Sequence, residues 1–335
     1  MKKSIQRHFG IDPNREIYRG GAYNTFADDL RAAMQENALL ALCGDIGAGK
    51  TTMLLDIAKG LPGTHRIVRV RSLDKEYLGI ANIVNALIYD LSHEGPKHNF
   101  EARSRQCNKI VGEQVVTLRH TVTLIIENAH RLHWKTLLSL KELREMDFAG
   151  QSPLFGIVLI GHPELASKIQ RLRELHLRTQ YINMNSAAGW MDQQDRQRYL
   201  QHVYGELLTT NQRAKVAFLE ETPQCMNHLV ERKLEQAYYT GKTALDDSDF
   251  DVSLQVMKDK LQLSNRDIAE IAGHDRGTVS KVIAGKSSNP AIQDAVKLAM
   301  EKAMAKKAGN SPSIAASAAA RLQPKAQVTP LEKKV

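Results

Sequence analysis

Cysteine is scarce in this chain, and the three present, Cys43, Cys107 and Cys225, lie far apart. No C-x-x-C pair and no Cys/His spacing occurs, which excludes a disulfide-stapled scaffold and a structural zinc site and points to reduced thiols in a reducing compartment. Long apolar runs are missing too, so no stretch reads as a membrane span. Met1-Lys2-Lys3-Ser4 is not followed by the hydrophobic core of a signal peptide. The expectation is a cytoplasmic protein with no membrane partner. Acidic residues fall short of basic ones, 37 against 46, a net charge of +9. That balance favours a polyanionic partner, nucleic acid first. The excess is uneven: from Ala303 to the end six Lys or Arg face one Glu, so +5 sits in the tail.

Against this background one stretch stands out, Gly44-Asp45-Ile46-Gly47-Ala48-Gly49-Lys50-Thr51. It follows the apolar run 38–43 and leads into residues 52–58, which have helical spacing. Strand, glycine loop, helix is the context in which G-x-x-x-x-G-K-[ST] forms a phosphate cradle. Glycines let several backbone N–H groups converge on one anion at the positive end of a helix. The pattern assigns ATP to residues 44–52, with Lys50 reaching the β- and γ-phosphates and Thr51 holding Mg²⁺ beside Thr52.

Residues 1–24 are polar and turn-rich, with isolated apolar anchors at Ile5, Phe9, Ile11, Ile17 and Tyr18, and read as a lead-in packed over the first strand. Asn24 or Thr25 then caps a helix carrying Phe26, Leu30 and Met34. Strands are expected over 66–71, 121–126 and 154–160, with helices over 80–91, 110–118 and 134–146 and a loop from His93 to Gln106. Strands alternating with helices imply an α/β fold, a parallel sheet covered on both faces, with ligands at the carboxyl ends of its strands. The expected domains are a P-loop nucleotide-binding domain over 25–190, a helical lid over 191–245 and an all-α unit over 246–304. The last, 305–335, is a disordered basic tail, because its Ala-, Ser- and Pro-rich composition cannot build a core.

The run Leu124-Ile125-Ile126-Glu127-Asn128-Ala129-His130-Arg131-Leu132 ends a buried strand in a carboxylate, which suits a Mg²⁺ ligand. It resembles the hhhhDEAH signature of AAA+ ATPases with two departures. Glu127 stands where Asp is usual, and Asn128 where the water-polarising Glu is usual. Asn128 can orient a water but cannot take its proton, so the expectation is weak or partner-stimulated hydrolysis. The next strand ends at Gly161-His162-Pro163-Glu164-Leu165, where His162 is either a turn histidine or a polar group sensing the γ-phosphate. Together the three runs resemble the AAA+ ATPases of DNA transposition over residues 20–240, a family whose members include phage Mu B-like target selectors and which shares its core with ExeA-type secretion ATPases. The resemblance implies ATP-bound rings or filaments on duplex DNA, with an arginine from the neighbouring subunit at the γ-phosphate. Arg178 falls at that position, with Arg173 as substitute, and a plain surface charge explains either one as well. The lid arginine of the family is absent, since Thr222-Pro223-Gln224 stands in its place.

Residues 265–284 meet the demands of a helix-turn-helix: Ala269 where two helices cross, Gly273 in the turn, and Val279 and Val282 packing back, with Ile268 and Ile283 adding core. Ser264 and Asp267 can cap the first helix. The second then exposes Arg276, Ser280 and Lys281, with Thr278 near its start, donors suited to bases or phosphates of double-stranded DNA. Family members of the Mu type carry their helix-turn-helix at the amino end, so its place here departs from them. Arg66, Arg69 and Arg71 fit a DNA-facing edge or an ordinary half-polar strand. The resulting expectation is an ATP-dependent DNA-binding protein that oligomerises on its target and recruits and stimulates a transposase. A nucleotide-gated transcriptional regulator and a secretion ATPase are the rivals.

Overall fold

The computed structural model describes residues 1–12, 16–70, 74–186, 189–251, 253–286 and 292–299. Arg71 and the basic tail lie outside them. The chain divides after Phe250 into two compact units.

In the first unit the apolar runs of the sequence become a five-stranded parallel sheet in the order β2-β3-β4-β1-β5. β1 (Leu39–Gly44), β3 (Thr121–Ile126) and β4 (Gly156–Gly161) are buried almost end to end, because helices cover both faces. β2 (His65–Arg69) and β5 (Thr179–Met184) form the edges and keep exposed or half-exposed polar positions. β5 was not foreseen: its mixed sequence, with Gln180 exposed beside buried Thr179, carries no apolar run.

Residues Leu39, Ala41 and Cys43 point into a core with Val68, Leu124, Ile126 and Leu159. That core is closed by α4 (Ile80–Ser92), α5 (Phe100–Gly112), α6 (Trp134–Arg144), α7 (Glu164–Gln170) and the short α8 (Arg173–His176). On the sheet's other face lie α2 (Tyr23–Gln35), which buries Leu30 and Met34, and α3 (Lys50–Lys59), which buries Met53, Leu54 and Ile57. The expected loop from His93 to Gln106 is corrected in its second half. Asn99 accepts from the N–H groups of Glu101 and Ala102 and starts α5 there, and the helix then passes into a π-helical turn over Glu113–Thr117.

The helical lid is α9 (Gln193–Tyr204), α10 (Thr210–Leu219) and α11 (Pro223–Tyr239), around Leu200, Val216, Met226, Val230 and Leu234. Its helices are capped as side-chain chemistry dictates. Asp192 accepts from Asp195 N–H, Thr209 and Gln212 form a reciprocal capping box, and Thr222 accepts from Cys225 N–H ahead of Pro223. The start of the lead-in packs into the lid. It forms α1 (Lys3–His8), whose Ile5 is 1% exposed inside the lid core. Phe250 closes the same core from a 3₁₀ turn over Asp247–Phe250.

In the second unit, α12 (Leu254–Leu261), α13 (Asn265–Ala272) and α14 (Arg276–Ile283) bury Met257, Leu261, Ile268, Ala269, Val279 and Val282. Ser264 and Asp267 form the reciprocal capping box of α13. Gly273 ends that helix at φ +70°, a left-handed turn that glycine takes without strain. Residues 292–299 are helical and bury Val296 and Ala299.

Candidate functional site

The glycine loop leaves the carboxyl end of β1, between two strands that shape its surroundings. Cys43 pairs with Gly161 of β4 and Gly44 with Met184 of β5. Gly47 and Gly49 adopt φ +79° and +95°, backbone that a side chain strains to follow. The loop is braced from outside. Asp45 Oδ2 accepts from Ser186 N–H at 2.7 Å, Trp190 Nε1 donates to the Ala48 carbonyl at 3.1 Å, and Gln224 N–H donates to the Gly47 carbonyl at 3.3 Å. Lys50 folds back to donate to the carbonyls of Gly44 at 2.8 Å and Asp45 at 2.7 Å. Burial pulls its ammonium down from its ordinary range, and Asp45 partly offsets this. Thr51 and Thr52 are exposed on the first turn of α3, and Ile46 projects from the loop tip at 69% exposure.

The fit at Gly47 is tight. A Cβ there would stand 2.5 Å from Gln224 Cβ and 3.1 Å from Thr222 Oγ1, on backbone already in the left-handed region. Gly47→Ala is therefore expected to cost about 2 kcal/mol and to unseat α11 from the loop. Calorimetric unfolding of the purified variant checks this; an unchanged Tm would contradict it.

Two cavities adjoin the loop. One of about 490 Å³ is bounded by Gly47, Lys50 and Thr51 on one side and by Gln224, Asn227 and His228 of α11 on the other. The second, about 260 Å³, is mostly apolar and aromatic: Ile17, Tyr18, Tyr23, Trp190, Met191 and Tyr199 contribute to its walls beside Ala48 and Gly49. Sequence reasoning missed this pocket, although the isolated Ile17 and Tyr18 in a turn-rich segment were a signal. Its position is fixed by charge. Arg19 makes a two-pronged bond to Asp56 of α3, at 2.8 and 3.1 Å, and Tyr23 Oη donates to the same carboxylate at 2.6 Å. The Arg19 bond, with help from Tyr23, holds the Asp56 carboxyl below the usual range.

A polar cradle next to an apolar, aromatic pocket suits a nucleotide, phosphates in the first and base in the second. The open space above Gly49, where an added Cβ would meet nothing within 4 Å, leaves the loop free to receive an anion. The donors that would serve Mg²⁺ are hard oxygens, Thr51 Oγ1 and the Glu127 carboxylate, and such an ion takes its remaining ligands from phosphate and water. Among the described residues no cluster of three His, Cys, Asp or Glu side chains could hold a metal without a nucleotide.

Glu127 sits just past β3. Ile126 pairs with Leu159 and Leu159 with Ala41, so one step on, Glu127 stands level with Ile160 and Leu42 near the loop's root. Its carboxylate is held in an ion pair by Arg69 from the end of β2. Buried Lys75, which donates to the Val70 carbonyl at 2.8 Å, also feels its charge. Asn128 is exposed in left-handed backbone, φ 55° and ψ 34°. His162 follows β4, level with Gly44. Its N–H donates to His130 Nδ1 at 3.4 Å, the two rings lie 4.2 Å apart, and its own Nδ1 is buried without a partner. Burial, with His162 nearby, pushes the His130 imidazole below its ordinary range.

Loop, Glu127, Asn128 and His162 thus gather at one end of the sheet. Arg178 does not join them. It precedes β5 at the opposite, amino end of the strands, paired with Glu145 on the surface, and Arg173 begins α8 nearby. In the second unit Arg276, Ser280 and Lys281 are exposed along α14, whereas Thr278 gives its hydroxyl to Asp275, the residue that caps the helix.

Residues 33–169 match the family model described as an AAA domain. Among solved structures, Cdc6p from Pyrobaculum aerophilum is similar at a TM-score of 0.54 and 12% identity, over 89% of this chain and 84% of that one. A Drosophila ORC structure bound to DNA is similar at a TM-score of 0.52 and 13% identity, over 95% and 84%. At such identities the likeness speaks to the fold. No curated protein matches the sequence. The strand order, the glycine loop and the matched stretch make residues 33–169 the AAA domain of a P-loop AAA+ ATPase.

Proposed function

We propose that this chain binds duplex DNA under the control of ATP, assembles there with copies of itself, and recruits and stimulates a transposase. The observation that carries the reading is the coexistence, in one chain, of a braced phosphate loop and a capped helix pair that exposes Arg276, Ser280 and Lys281. The likeness in fold to an ORC solved on DNA supports a nucleic-acid role, and the net charge of +9 favours the same partner. The transposase rests on the family resemblance of the loop, the LIIENAHRL run and the VLIGHPEL run.

In this reading the loop N–H groups and Lys50 bind the phosphates, and Ile17, Tyr18 and Trp190 hold the base. Mg²⁺, held through Thr51 and Glu127, would neutralise charge on the transferred phosphoryl group. For that, Arg69 must release Glu127. Asn128 orients water, and His162 senses the outer phosphate. Arg178, on the far side of the sheet, reaches a triphosphate only across a subunit boundary, which ties hydrolysis to assembly.

Electron microscopy with ATP and plain duplex DNA tests the proposal: ATP-dependent rings or filaments are expected. A sequence-specific footprint with no such assembly would replace it with a nucleotide-gated regulator. On α14, Arg276→Ala combined with Lys281→Ala is expected to weaken DNA binding and to lower the salt slope by about 2, one for each phosphate that the variant leaves to its counterions. Filter-binding titrations over a range of salt read this directly, and an unchanged slope would leave the helix pair a scaffold.

A further inference from the structure

The aromatic pocket beside the glycine loop has polar groups in its walls, and the protein itself already engages most of them. Tyr23 Oη donates to Asp56 at 2.6 Å and Trp190 Nε1 to the Ala48 carbonyl at 3.1 Å. Asn227 gives its side-chain N–H to Tyr199 Oη at 2.7 Å, and its Oδ1 accepts from Tyr204 Oη at 3.3 Å. The Glu16 carbonyl accepts from His202 Nε2 at 2.9 Å, and the Gly20 carbonyl from the Tyr23 N–H at 3.2 Å. The Tyr18 hydroxyl lies against Gly20, on the side where a Cβ would stand. What these walls offer a ligand is ring surface. Trp190 stacks on Phe26 with centroids 5.3 Å apart and planes 12° from parallel, and Tyr18 meets Tyr199 edge-on at 5.7 Å.

We infer that this pocket holds the base by its faces and not by its edge, so that the chain takes purine nucleoside triphosphates as a class, GTP nearly as well as ATP. The inference rests on the nucleotide reading of the loop and states which bases the neighbouring pocket admits. Stacking is indifferent to what a base carries on its rim, because every base has a π-face. Selection against a wrong base needs protein donors and acceptors that are left unpaired when that base binds. A site built in that way rejects it by about 10⁴–10⁵-fold. Here the groups suited to that part hold the pocket together instead.

Among the described residues of the wall, Glu16 and Thr52 carry the other polar side chains, and both are exposed. Water therefore competes for any bond they make to a base. Thr52 also borders the phosphate cavity, from the first turn of α3. Gly20 is exposed as well, so the pocket opens to solvent, and the edge groups that distinguish adenine from guanine keep their hydration there. A pyrimidine presents less ring surface to Trp190 and Tyr18 and is held more weakly.

The test displaces a ribose-labelled fluorescent ATP from the full chain with unlabelled ATP, GTP, UTP and purine riboside triphosphate, whose base bears no exocyclic group. The three purine nucleotides are expected to compete within about tenfold of one another, and UTP to be weaker than any of them by roughly tenfold. Tyr18→Ala should weaken all three purine nucleotides alike, by roughly tenfold, and Tyr18→Phe should leave their affinities and ratios as they were. A preference for ATP over GTP beyond about tenfold overturns the inference while the loop reading stands, provided Lys50→Ala abolishes binding. So does a Tyr18→Phe variant with an altered ATP-over-GTP ratio, because the hydroxyl would then be reading the edge. UTP that competes as well as ATP overturns it too, since the base would then make no contact that matters. A chain that binds no triphosphate overturns both readings.

Discussion

Lys50→Ala is expected to reduce ATP affinity by about 100-fold or more, and with it all ATP stimulation of DNA binding. The reason lies in the loop's composition. Between Gly44 and Thr52 the one cationic side chain is Lys50, and its ammonium is half-buried among backbone groups. It donates to the Gly44 and Asp45 carbonyls, so its charge is held at the root of the cradle. Burial destabilises that charge; an incoming phosphate restores the compensation and gives the ammonium better acceptors than two neutral carbonyls. A charge-assisted bond of this kind is worth roughly 1.5–3 kcal/mol, and Lys50 would make more than one.

The fold should survive the substitution. The strands, the brace from Trp190 to Ala48 and the Asp45–Ser186 bond do not involve the lysine. Binding of a fluorescent ATP analogue, thermal unfolding and DNA titration with and without ATP separate the outcomes. Lost nucleotide binding with an intact Tm is the expected combination. ATP-stimulated DNA binding that persists in the variant would end the idea that the loop controls the DNA-binding state.

How far this site was legible in the sequence depends on whether its signal was local. The loop could be read because strand, glycines, lysine and helix are consecutive. Glu127 and His162 could be placed beside it because each ends an apolar run, and parallel strands bring such ends together. β5 escaped notice because an edge strand keeps one side polar, and Gln180 and Asn183 break its apolar pattern. The first half of α5 escaped for a related reason: it is mostly exposed, and its apolar stripe begins only at Cys107. The base pocket is less legible still. Its walls come from Glu16 to Asn227, joined by the Arg19–Asp56–Tyr23 contacts, and no periodicity records a bond between residues so far apart. Helix α11 was foreseen as helix, but its approach to Gly47 is a tertiary fact, and so is the capture of Glu127 by Arg69.

Asn128→Glu is expected to raise basal ATP hydrolysis by roughly 10- to 100-fold, since a positioned general base contributes on that order or more. Asn128 is exposed at the mouth of the site, one residue past Glu127, so a longer side chain meets no wall. Its backbone is less accommodating: φ 55° and ψ 34° suit asparagine better than glutamate. The variant should therefore lose about 1 kcal/mol of stability and about 2–4 °C in Tm while gaining turnover. Opposite movements of stability and rate would be hard to produce by general damage. The added carboxylate adjoins Glu127 in the chain, which Arg69 holds in an ion pair, and competition for that guanidinium would free Glu127 toward the metal. Arg69→Gln separates the two effects, because it frees Glu127 without supplying a base. If Arg69→Gln alone accelerates hydrolysis, the ion pair is the brake; if only Asn128→Glu does so, the missing base is. Faster hydrolysis should in turn shorten the lifetime of the ATP-assembled state on DNA, measured by release from immobilised duplex. Unchanged hydrolysis in Asn128→Glu, with nucleotide binding intact, would mean that residue 128 does not face the attacking water.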